Sequence, residues 1–311
     1  MRVICRLILG LVVAAMVLSG ASAFADTYAY ISFDYPGTTN STDADGINAS
    51  GQIVGNYGDS AGNHGFLKVG NTYTPIDYPG ITGDTYAYGI NASGQIVGLY
   101  FVPLGSASWA EHGFLLIGNT YTSLDFPGTT GSTSASGIND SGQIVGIYND
   151  STGQHGFLKV GNTYTSIDYP GITGMTIAIA INNSGQIIGG YNDSAAISHF
   201  FLKEGNTYTP IDYPGANFTL PNGINNLGQI VGAFEDSAGY HGFLLIGNNY
   251  IPLDYPGTTG LTAALGINDS GQIVGIYGEG QGFLATPIPL PCTLMLFGSG
   301  LLGVFGWRRF R

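Results

Sequence analysis

Polar and apolar residues alternate in short runs through most of the chain, and no run repeats with the period of an α-helix. Residues 133–168 illustrate the pattern, with strand-like runs at 133–138, 143–148, 155–160 and 163–168. Asn, Asp and Gly fill the turns between these runs, as they do in tight turns between strands. The Tyr-Pro-Gly that follows ends the fourth run, because proline cannot donate a hydrogen bond to a strand ladder. The pattern predicts a unit of four short strands.

This unit occurs six times. The run Gly-Ile-Asn-Asp-Ser-Gly-Gln-Ile-Val-Gly begins at residue 137, and near-copies of it begin at 46, 89, 180, 223 and 266. The asparagine of the Ile-Asn pair recurs at intervals of 43, 48, 43, 43 and 43 residues. Four-stranded units of this length have the size of a β-propeller blade. The chain is therefore predicted to be all-β.

The two ends of the repeat array are complementary. The last copy stops near residue 285 and lacks its fourth strand, whereas residues 27–37 open the chain with a run of that fourth-strand type. Complementary ends are expected of a closed ring, because one blade that contains strands from both termini closes the ring. The sequence predicts a six-bladed β-propeller of four-stranded blades over residues 26–286, closed by the N-terminal strand, which completes the last blade.

Composition and charge narrow the classes of function. The 51 glycines and the low share of charged residues, 9%, suit short strands joined by tight turns. All 20 acidic residues lie between Asp26 and Glu279, together with only three lysines, which gives that region a net charge of −17. Such a surface repels phosphate backbones, so nucleic acid is not expected as a partner. Cys5 and Cys292 lie in the terminal segments, so the repeats have no thiol chemistry.

Residues 1–25 have the three-part layout of a secretory signal peptide. Arg2 and Arg6 precede an apolar run, which residues of small size follow up to Ala25. We expect cleavage before Asp26 and export of the mature chain. The alternative is an uncleaved membrane anchor.

Residues 287–311 carry a proline-rich motif with Pro289 and Pro291, a short apolar run, and a basic end with Arg308, Arg309 and Arg311. The apolar run would form a helix of about 21 Å, short for a bilayer core of about 30 Å. This tail resembles a PEP-CTERM sorting signal, although Leu290 stands where that family has Glu. The resemblance implies transient membrane insertion, processing by an exosortase-type enzyme, and delivery to the surface or matrix of a Gram-negative bacterium, in connection with exopolysaccharide. A plain C-terminal membrane anchor is the alternative.

The repeats themselves resemble the HAF family of extracellular repeats, which carry a Gly-Ile-Asn-x-x-Gly-Gln-x-Val-Gly run followed by His-Ala-Phe. In this chain the second element is His-Gly-Phe in four copies and His-Phe-Phe in a fifth. The resemblance covers nearly all of residues 27–285. It implies an extracellular β-repeat protein and brings no established reaction or ligand.

Each of the five histidines precedes the aspartate of the Asp-Tyr-Pro-Gly or equivalent run by 13 residues. An aspartate that accepts a hydrogen bond from the imidazole would fix its tautomer and connect the third strand to the linker after the fourth. We therefore expect a structural network, with a metal site and acid–base catalysis as alternatives. The pairs are His64 with Asp77, His112 with Asp125, His155 with Asp168, His199 with Asp212, and His241 with Asp254.

Three further features are candidates for ligand contact. An aromatic residue before each Pro-Gly forms a six-fold set that either stacks on sugars or packs between blades; its members include Tyr78, Tyr169, Tyr213 and Tyr255. The second copy has a five-residue insertion near Phe101 and Trp109, which is a candidate binding loop or tolerated loop drift. Residues 218–221 of the fifth copy are a weaker candidate. No cofactor is expected, although the Asp-Ser-x-Gly turns at Asp59, Asp150 and Asp236 could bind Ca²⁺ instead of serving as simple turns.

No nucleophile elbow, phosphate loop or zinc motif occurs in the sequence. We therefore expect a non-enzymatic, secreted protein with a structural or adhesive role. The first alternative is a glycan-binding module for exopolysaccharide, and the second is an enzyme acting on polysaccharide, which needs carboxylates that converge in the central channel.

Overall fold

The computed structural model describes residues 28–38, 40–105, 108–129 and 131–289. Residues 30–285 form one compact unit. The expected signal peptide lies outside the described residues, as does most of the expected sorting tail, including Pro291, Arg308, Arg309 and Arg311. The part of the chain that is described contains no helix that could cross a membrane.

The described residues form 24 strands in six antiparallel sheets of four. Blade 1 consists of β2 (Thr42–Ile47), β3 (Ile53–Gly58), β4 (Asn63–Val69) and β5 (Thr72–Ile76). Blade 2 consists of β6 (Thr85–Ile90), β7 (Ile96–Gly105), β8 (Ser108–Ile117) and β9 (Thr120–Leu124). Blade 3 consists of β10 (Thr133–Ile138), β11 (Ile144–Asp150), β12 (Gly153–Val160) and β13 (Thr163–Ile167).

Blade 4 consists of β14 (Thr176–Ile181), β15 (Ile187–Asn192), β16 (Ser198–Glu204) and β17 (Thr207–Pro210). Blade 5 consists of β18 (Phe218–Ile224), β19 (Ile230–Asp236), β20 (Gly239–Ile246) and β21 (Asn249–Leu253). Blade 6 has the order β1-β24-β23-β22 and combines β22 (Thr262–Ile267), β23 (Ile273–Tyr277) and β24 (Gln281–Pro287) with β1 (Tyr28–Phe33). The six sheets form a ring, which confirms the predicted six-bladed β-propeller; the role of β1 in holding the ring closed stays a prediction.

One phenylalanine in each blade is fully buried, on the third strand of the unit. It is the last residue of the His-Gly-Phe element or its equivalent, and it packs between the blade and the linker that enters it. The six are Phe66, Phe114, Phe157, Phe201, Phe243 and Phe283. Burying a phenylalanine contributes about 1.5–3 kcal/mol, so the repeated element is mainly a core element.

The Ile-Asn pair builds a closed belt around one end of the central channel. In each copy the asparagine Nδ2 donates to the main-chain oxygen of the equivalent asparagine in the next blade, at 3.0–3.1 Å. The sixth bond, from Asn268 to Asn48, joins blade 6 to blade 1 across 220 residues of sequence. These asparagines are only 3–4% exposed, so the belt is buried, and each of its six Nδ2 groups donates a hydrogen bond to the next blade. Its members are Asn48, Asn91, Asn139, Asn182, Asn225 and Asn268.

Candidate functional site

The innermost strand of every blade contains a β-bulge at the residue before the Gly-Ile-Asn run or its equivalent. The register with the second strand shifts there, so one residue per blade has no partner in the ladder. A bulge bends the strand and re-aims a side chain. We call these the six bulge residues: Asp45, Tyr88, Ser136, Ile179, Asn222 and Leu265. In a nearly exact repeat, this position holds a different amino acid in each copy.

All six bulge residues line one cavity of about 380 Å³ on the channel axis, which we call the channel cavity. The channel narrows beyond it, where the next residue of each strand is glycine or alanine. A Cβ added at Gly137 would lie only 3.0 Å from the Cα of Ala180 in the next blade, so the strands meet backbone to backbone. The cavity is therefore a pocket with one wide end, and its volume falls within the range of about 300–1,000 Å³ that small-ligand sites occupy.

Blade 1 places one carboxyl group, that of Asp45, in this pocket. Burial and the nearby charge of Asp43 raise the pKa of Asp45 well above its ordinary value, although Nδ2 of Asn56 donates to its Oδ2 at 2.6 Å. Burial also raises the pKa of Asp43, against a hydrogen bond from Ser41. In both residues, burial therefore disfavours the ionised form of the carboxyl group.

Blade 2 adds a second acid, Glu111, and the phenol of Tyr88 to the lining, and the phenol of Tyr86 lies beside Tyr88 outside the lining. Glu111 lines the channel cavity, and burial raises its pKa while the charge of His112 acts in the opposite direction. Burial, followed by the charge of Asp45, also raises the pKa of Tyr88. Tyr86 stacks beside Tyr88 with ring centroids 6.2 Å apart, and burial together with Asp84 raises its pKa to about 12. Both phenols therefore stay protonated at neutral pH and can donate hydrogen bonds.

The inserted segment of the second copy forms a long hairpin of β7 and β8 at this pocket. Within it, Phe101 pairs with Glu111 and Pro103 pairs with Trp109. Because alternate residues of a strand share a face, Trp109 lies on the same face of β8 as Glu111, two residues further along the hairpin. The Trp109 side chain is 55% exposed, and its ring covers the backbone at Gly83. The hairpin thus extends the wall of the pocket outward with an aromatic surface.

The remaining lining is mixed. Blade 3 contributes hydroxyl and amide groups, whereas Leu99, Ile147, Ile179 and Leu265 supply apolar surface. Among the described residues that line the pocket, none is lysine, arginine or histidine. The polar part of the blade 3 lining consists of Ser132, Ser134, Ser136, Asn149 and Gln154.

The aromatic residues before each Pro-Gly lie elsewhere, in the linkers that enter each blade. Tyr78 stacks on Tyr100 with ring centroids 3.6 Å apart and meets Tyr121 edge-on at 5.3 Å, both in the following blade. Tyr169, Tyr213 and Tyr255 make the same stacked contact in their own copies, at 3.6–3.8 Å. Each ring therefore packs a linker onto the next blade, and the aromatic rings that it contacts belong to the protein itself.

Four of the five expected His–Asp pairs are in contact. Nδ1 of the histidine lies 2.6–3.0 Å from the aspartate Oδ1 in the pairs His64–Asp77, His112–Asp125, His155–Asp168 and His241–Asp254. In the fourth copy, Nε2 of His199 lies 3.2 Å from Asp193 instead, and within the described residues no hydrogen bond joins His199 to Asp212. The turn before β16 differs there, because Asp193 begins a longer turn through Ala196, the one described non-glycine residue with positive φ, at 61°.

Three of these histidines lie between two carboxylates. Nε2 of His64 is buried and 3.4 Å from Oδ1 of Asp59, without the alignment of a hydrogen bond, while its Nδ1 contacts Asp77. Partial burial lowers the pKa of His64, but the hydrogen bond and charge of Asp77, with Asp59, outweigh that effect and raise it overall. Asp168 and Asp150 raise the pKa of His155 in the same way. The charged forms of His64 and His155 are therefore stabilised.

This arrangement makes stability depend on pH. A histidine whose pKa is raised above the unfolded value of 6.5 stabilises the fold fully below that pH and loses this contribution as pH rises through the folded pKa. We expect the melting temperature to fall as pH rises above about 6.5, and a His64→Gln, His155→Gln double variant to show a smaller slope. Gln281 occupies the equivalent position in blade 6, so glutamine is compatible with the fold. An unchanged slope in the double variant would contradict this role.

The Asp-Ser-x-Gly turns use their aspartates in backbone hydrogen bonds. Oδ1 of Asp59, Asp150 and Asp236 accepts from the main-chain nitrogen two residues on, at 2.6–2.7 Å. This is the geometry of an Asx turn. In residues 28–289, outside the few that are not described, no group of three or more His, Cys, Asp or Glu side chains is arranged to hold a metal ion.

The sequence marks the insertion with Phe101 and Trp109, which ends at Glu111, as a candidate, but the six bulge residues were not predicted from it. The signal for the bulge residues is present in the sequence, since the position before the Gly-Ile-Asn run is Asp, Tyr, Ser, Ile, Asn and Leu in turn while its neighbours repeat. Its meaning depends on the bulge, which turns that position into the channel.

The sequence matches no protein-family model and no curated protein. Among solved structures, a streptogramin B lyase is similar at 10% identity, covering 86% of this chain and 100% of that chain with a TM-score of 0.53. TolB from Acinetobacter baumannii is similar at 11% identity, covering 76% of this chain and 63% of that chain with a TM-score of 0.50. At these identities, the likeness shows the β-propeller fold alone.

Proposed function

We propose that this protein is a secreted carbohydrate-binding propeller with an adhesive role, and that the channel cavity is its binding site. The observation that carries the proposal is the set of six different bulge residues around one pocket of about 380 Å³. Residues that serve folding repeat in every blade, so a position that differs in every blade while facing one cavity is available for a ligand.

The lining suits a sugar. A sugar ring presents hydroxyl groups along its edge and C–H groups on its faces, so its site needs both polar groups and apolar or aromatic surface. The channel cavity offers Asp45, Glu111, Tyr88 and the blade 3 serines for the hydroxyls, and Ile179 and Leu265 for the apolar faces. Trp109 on the adjoining hairpin can stack on a further sugar unit outside the pocket.

Charge narrows the ligand class. The lining contains acids and no basic group among its described residues, within a region of net charge −17. A uronic-acid polymer would bring further carboxylates into a site where burial already disfavours negative charge on Asp45 and Glu111. We therefore propose neutral or amino-sugar chains as ligands rather than acidic ones.

Calorimetric titration with neutral tetrasaccharides of glucose, mannose and N-acetylglucosamine, and with an oligogalacturonate, tests this function. We expect one of the neutral chains to bind and the oligogalacturonate not to bind. Glu111→Gln should weaken binding about tenfold or more, because a hydrogen bond to a charged group contributes about 1.5–3 kcal/mol. Trp109→Ala should weaken binding of tetrasaccharides more than of disaccharides, since Trp109 lies beyond the pocket.

Glu204→Gln is the matched control for Glu111→Gln. Glu204 is an exposed glutamate at the end of β16 in blade 4, and it does not line the channel cavity. Its substitution should leave binding unchanged. Equal effects of the two substitutions, or no binding of any neutral chain, would refute the channel cavity as the site.

A polysaccharide-active enzyme is the second candidate, because two acids with raised pKa, Asp45 and Glu111, line the same cavity. Glycosidases use such a pair, one group as acid and the other as nucleophile or base. Release of new reducing ends from a bound chain, abolished by Asp45→Asn and by Glu111→Gln, would support this candidate over simple binding.

Export and sorting complete the proposal and rest on the residue patterns at the two ends of the sequence. The signal-peptide pattern of residues 1–25 and the PEP-CTERM-like tail support delivery to the surface or matrix of a Gram-negative cell, with an exosortase-type enzyme as partner and exopolysaccharide as the neighbouring polymer. Cell fractionation tests this part: mature protein at the surface or in the medium agrees with it, and retention in the cytoplasm does not.

A further inference from the structure

A second cavity, of about 310 Å³, lies between blades 4 and 5 and shares no lining residue with the channel cavity. We call it the blade 4–5 cavity. Its polar lining comes from Ser198, His199, Asp212 and Asn217, and its apolar lining includes Phe200 and Phe218. These residues belong to the start of β16, to the linker after β17, and to the start of β18.

This cavity lies at the place in the repeat where the other copies have the His–Asp hydrogen bond and the fourth copy lacks it. In copies 1, 2, 3 and 5 the histidine and aspartate at these positions bond directly, whereas here they line a common space. His199 is also the most exposed of the five histidines in these ion pairs, with 39% of its side chain accessible. Within the described residues, Asp212 forms no ion pair. The fourth copy thus presents to solvent two groups that the other copies use on each other.

The bonds that these groups already make leave hydrogen-bond acceptors facing the cavity. His199 donates from Nε2 to Asp193, which makes Nδ1 of the neutral ring an acceptor. The Ser198 hydroxyl donates to Oδ1 of Asn192, so its oxygen has lone pairs left. The carboxylate of Asp212 only accepts. Such a set matches a ligand with several neighbouring O–H donors.

The apolar wall fits the same ligand. Phe200 and Phe218 meet edge to face with ring centroids 5.7 Å apart, and Phe200 is 7% exposed. A rigid aromatic wall beside acceptor groups suits the C–H face and the hydroxyl edge of a sugar ring. The volume is within the range of small-ligand sites, which begins at about 300 Å³.

We propose that the blade 4–5 cavity is a second carbohydrate subsite, which binds one neutral pyranose through Asp212 and His199. The inference rests on the proposed carbohydrate binding for its ligand class, but it concerns a separate cavity. With the channel cavity, it makes the protein bivalent for sugar chains. Two sites on one molecule raise the avidity for a polymer without any new contact, which suits an adhesive role.

The test follows the imidazole Cε1–H resonances of the five histidines by NMR, assigned with a His199→Gln variant. The probes are the methyl β-glycosides of glucose, galactose, mannose and N-acetylglucosamine. We expect at least one glycoside to shift the His199 resonance in a saturable way and to leave the other four unmoved. Asp212→Asn should weaken that binding about tenfold.

Asp168→Asn is the matched control, because Asp168 occupies the same repeat position in the third copy and bonds to His155. It should leave the shift of His199 unchanged, as should Glu111→Gln in the channel cavity. An Asn217→Ala variant gives a second, independent substitution in the subsite, and it should weaken binding as well.

No shift of His199 with any of the four glycosides, or an equal shift in Asp212→Asn, overturns the inference even if the channel cavity binds sugar. A His199 shift without channel binding supports this subsite and counts against the channel cavity alone.

Discussion

Replacing Asn139 with alanine is expected to destabilise the propeller by about 3–5 kcal/mol. Nδ2 of this residue donates to Asn182 and to Gln143, and its Oδ1 accepts from the main chain of Ser141 and of Gln143. Alanine removes the acceptor of the main-chain nitrogens of Ser141 and Gln143, and it leaves the main-chain oxygen of Asn182 with only its bond from Gly185. A buried polar group that loses its partner costs about 1–3 kcal/mol. Thermal unfolding should report a melting temperature lower by about 10 °C, since 1 kcal/mol shifts a domain of this size by about 2–4 °C.

Two variants sharpen this measurement. Asn139→Asp keeps the oxygen that organises the turn but removes the Nδ2 donor, so it should lose the belt bond to Asn182 and part of the stability. Asn162→Ala changes an exposed asparagine in the turn between β12 and β13 and should alter stability by less than about 0.5 kcal/mol. If Asn139→Ala were as mild as Asn162→Ala, the belt would not be a major source of stability.

Removing residues 26–34 should have a comparable or larger effect, because it takes β1 out of blade 6. The Tyr30 ring lies 5.8 Å from that of Phe283, which is 1% exposed in the intact fold, and Ser32 accepts a hydrogen bond of 2.9 Å from Tyr277. Phe33 packs against the core cluster that joins Val274 of blade 6 to blade 1. Loss of β1 exposes this core and leaves β24 as a bare edge, which favours association between molecules.

A chain that starts at residue 26 is the proper reference for one that starts at residue 35. We expect the shorter chain to melt at least about 10 °C lower, because it loses the half-buried aromatic side chains of β1 and uncovers the core beneath them, at about 1.5–3 kcal/mol for each large apolar side chain. A synthetic peptide of residues 26–34 should restore part of that difference by occupying the vacant edge. Equal melting temperatures of the two chains would show that β1 does not hold the ring closed.

The fold could be read from the sequence because its signals are local and repeated. Period-two alternation, Gly-Asn and Asn-x-x-Gly turns, and Pro-Gly linkers each specify a short strand or a turn, and the same signals recur in six copies. The place of β1 in blade 6 followed from a missing strand at one end and an extra one at the other. The sequence did not indicate that the asparagine of the Ile-Asn pair joins neighbouring blades. That hydrogen bond exists only because the closed ring brings equivalent residues of adjacent blades together.

The candidate site was harder to predict, since it depends on which side chain a bulge turns inward. Along β2 the alternation of buried and half-buried residues breaks at Gly46 and Ile47, and this break marks the bulge at Asp45. The constant spacing of 13 residues likewise could not distinguish His199 from the other histidines, because the difference lies in the turn that precedes it. Local sequence patterns therefore predicted the strands and turns of the propeller. The residues of the candidate site could be identified only from the register in which the strands pair.

A crystal structure of the protein with the neutral tetrasaccharide that binds it most tightly tests the central claim most directly. The account predicts sugar in the channel cavity, in contact with Tyr88 and Glu111 and with at least one further bulge residue from blades 3–6. Sugar bound only at the asparagine belt or along the outer strands, with the six bulge residues untouched, would contradict it.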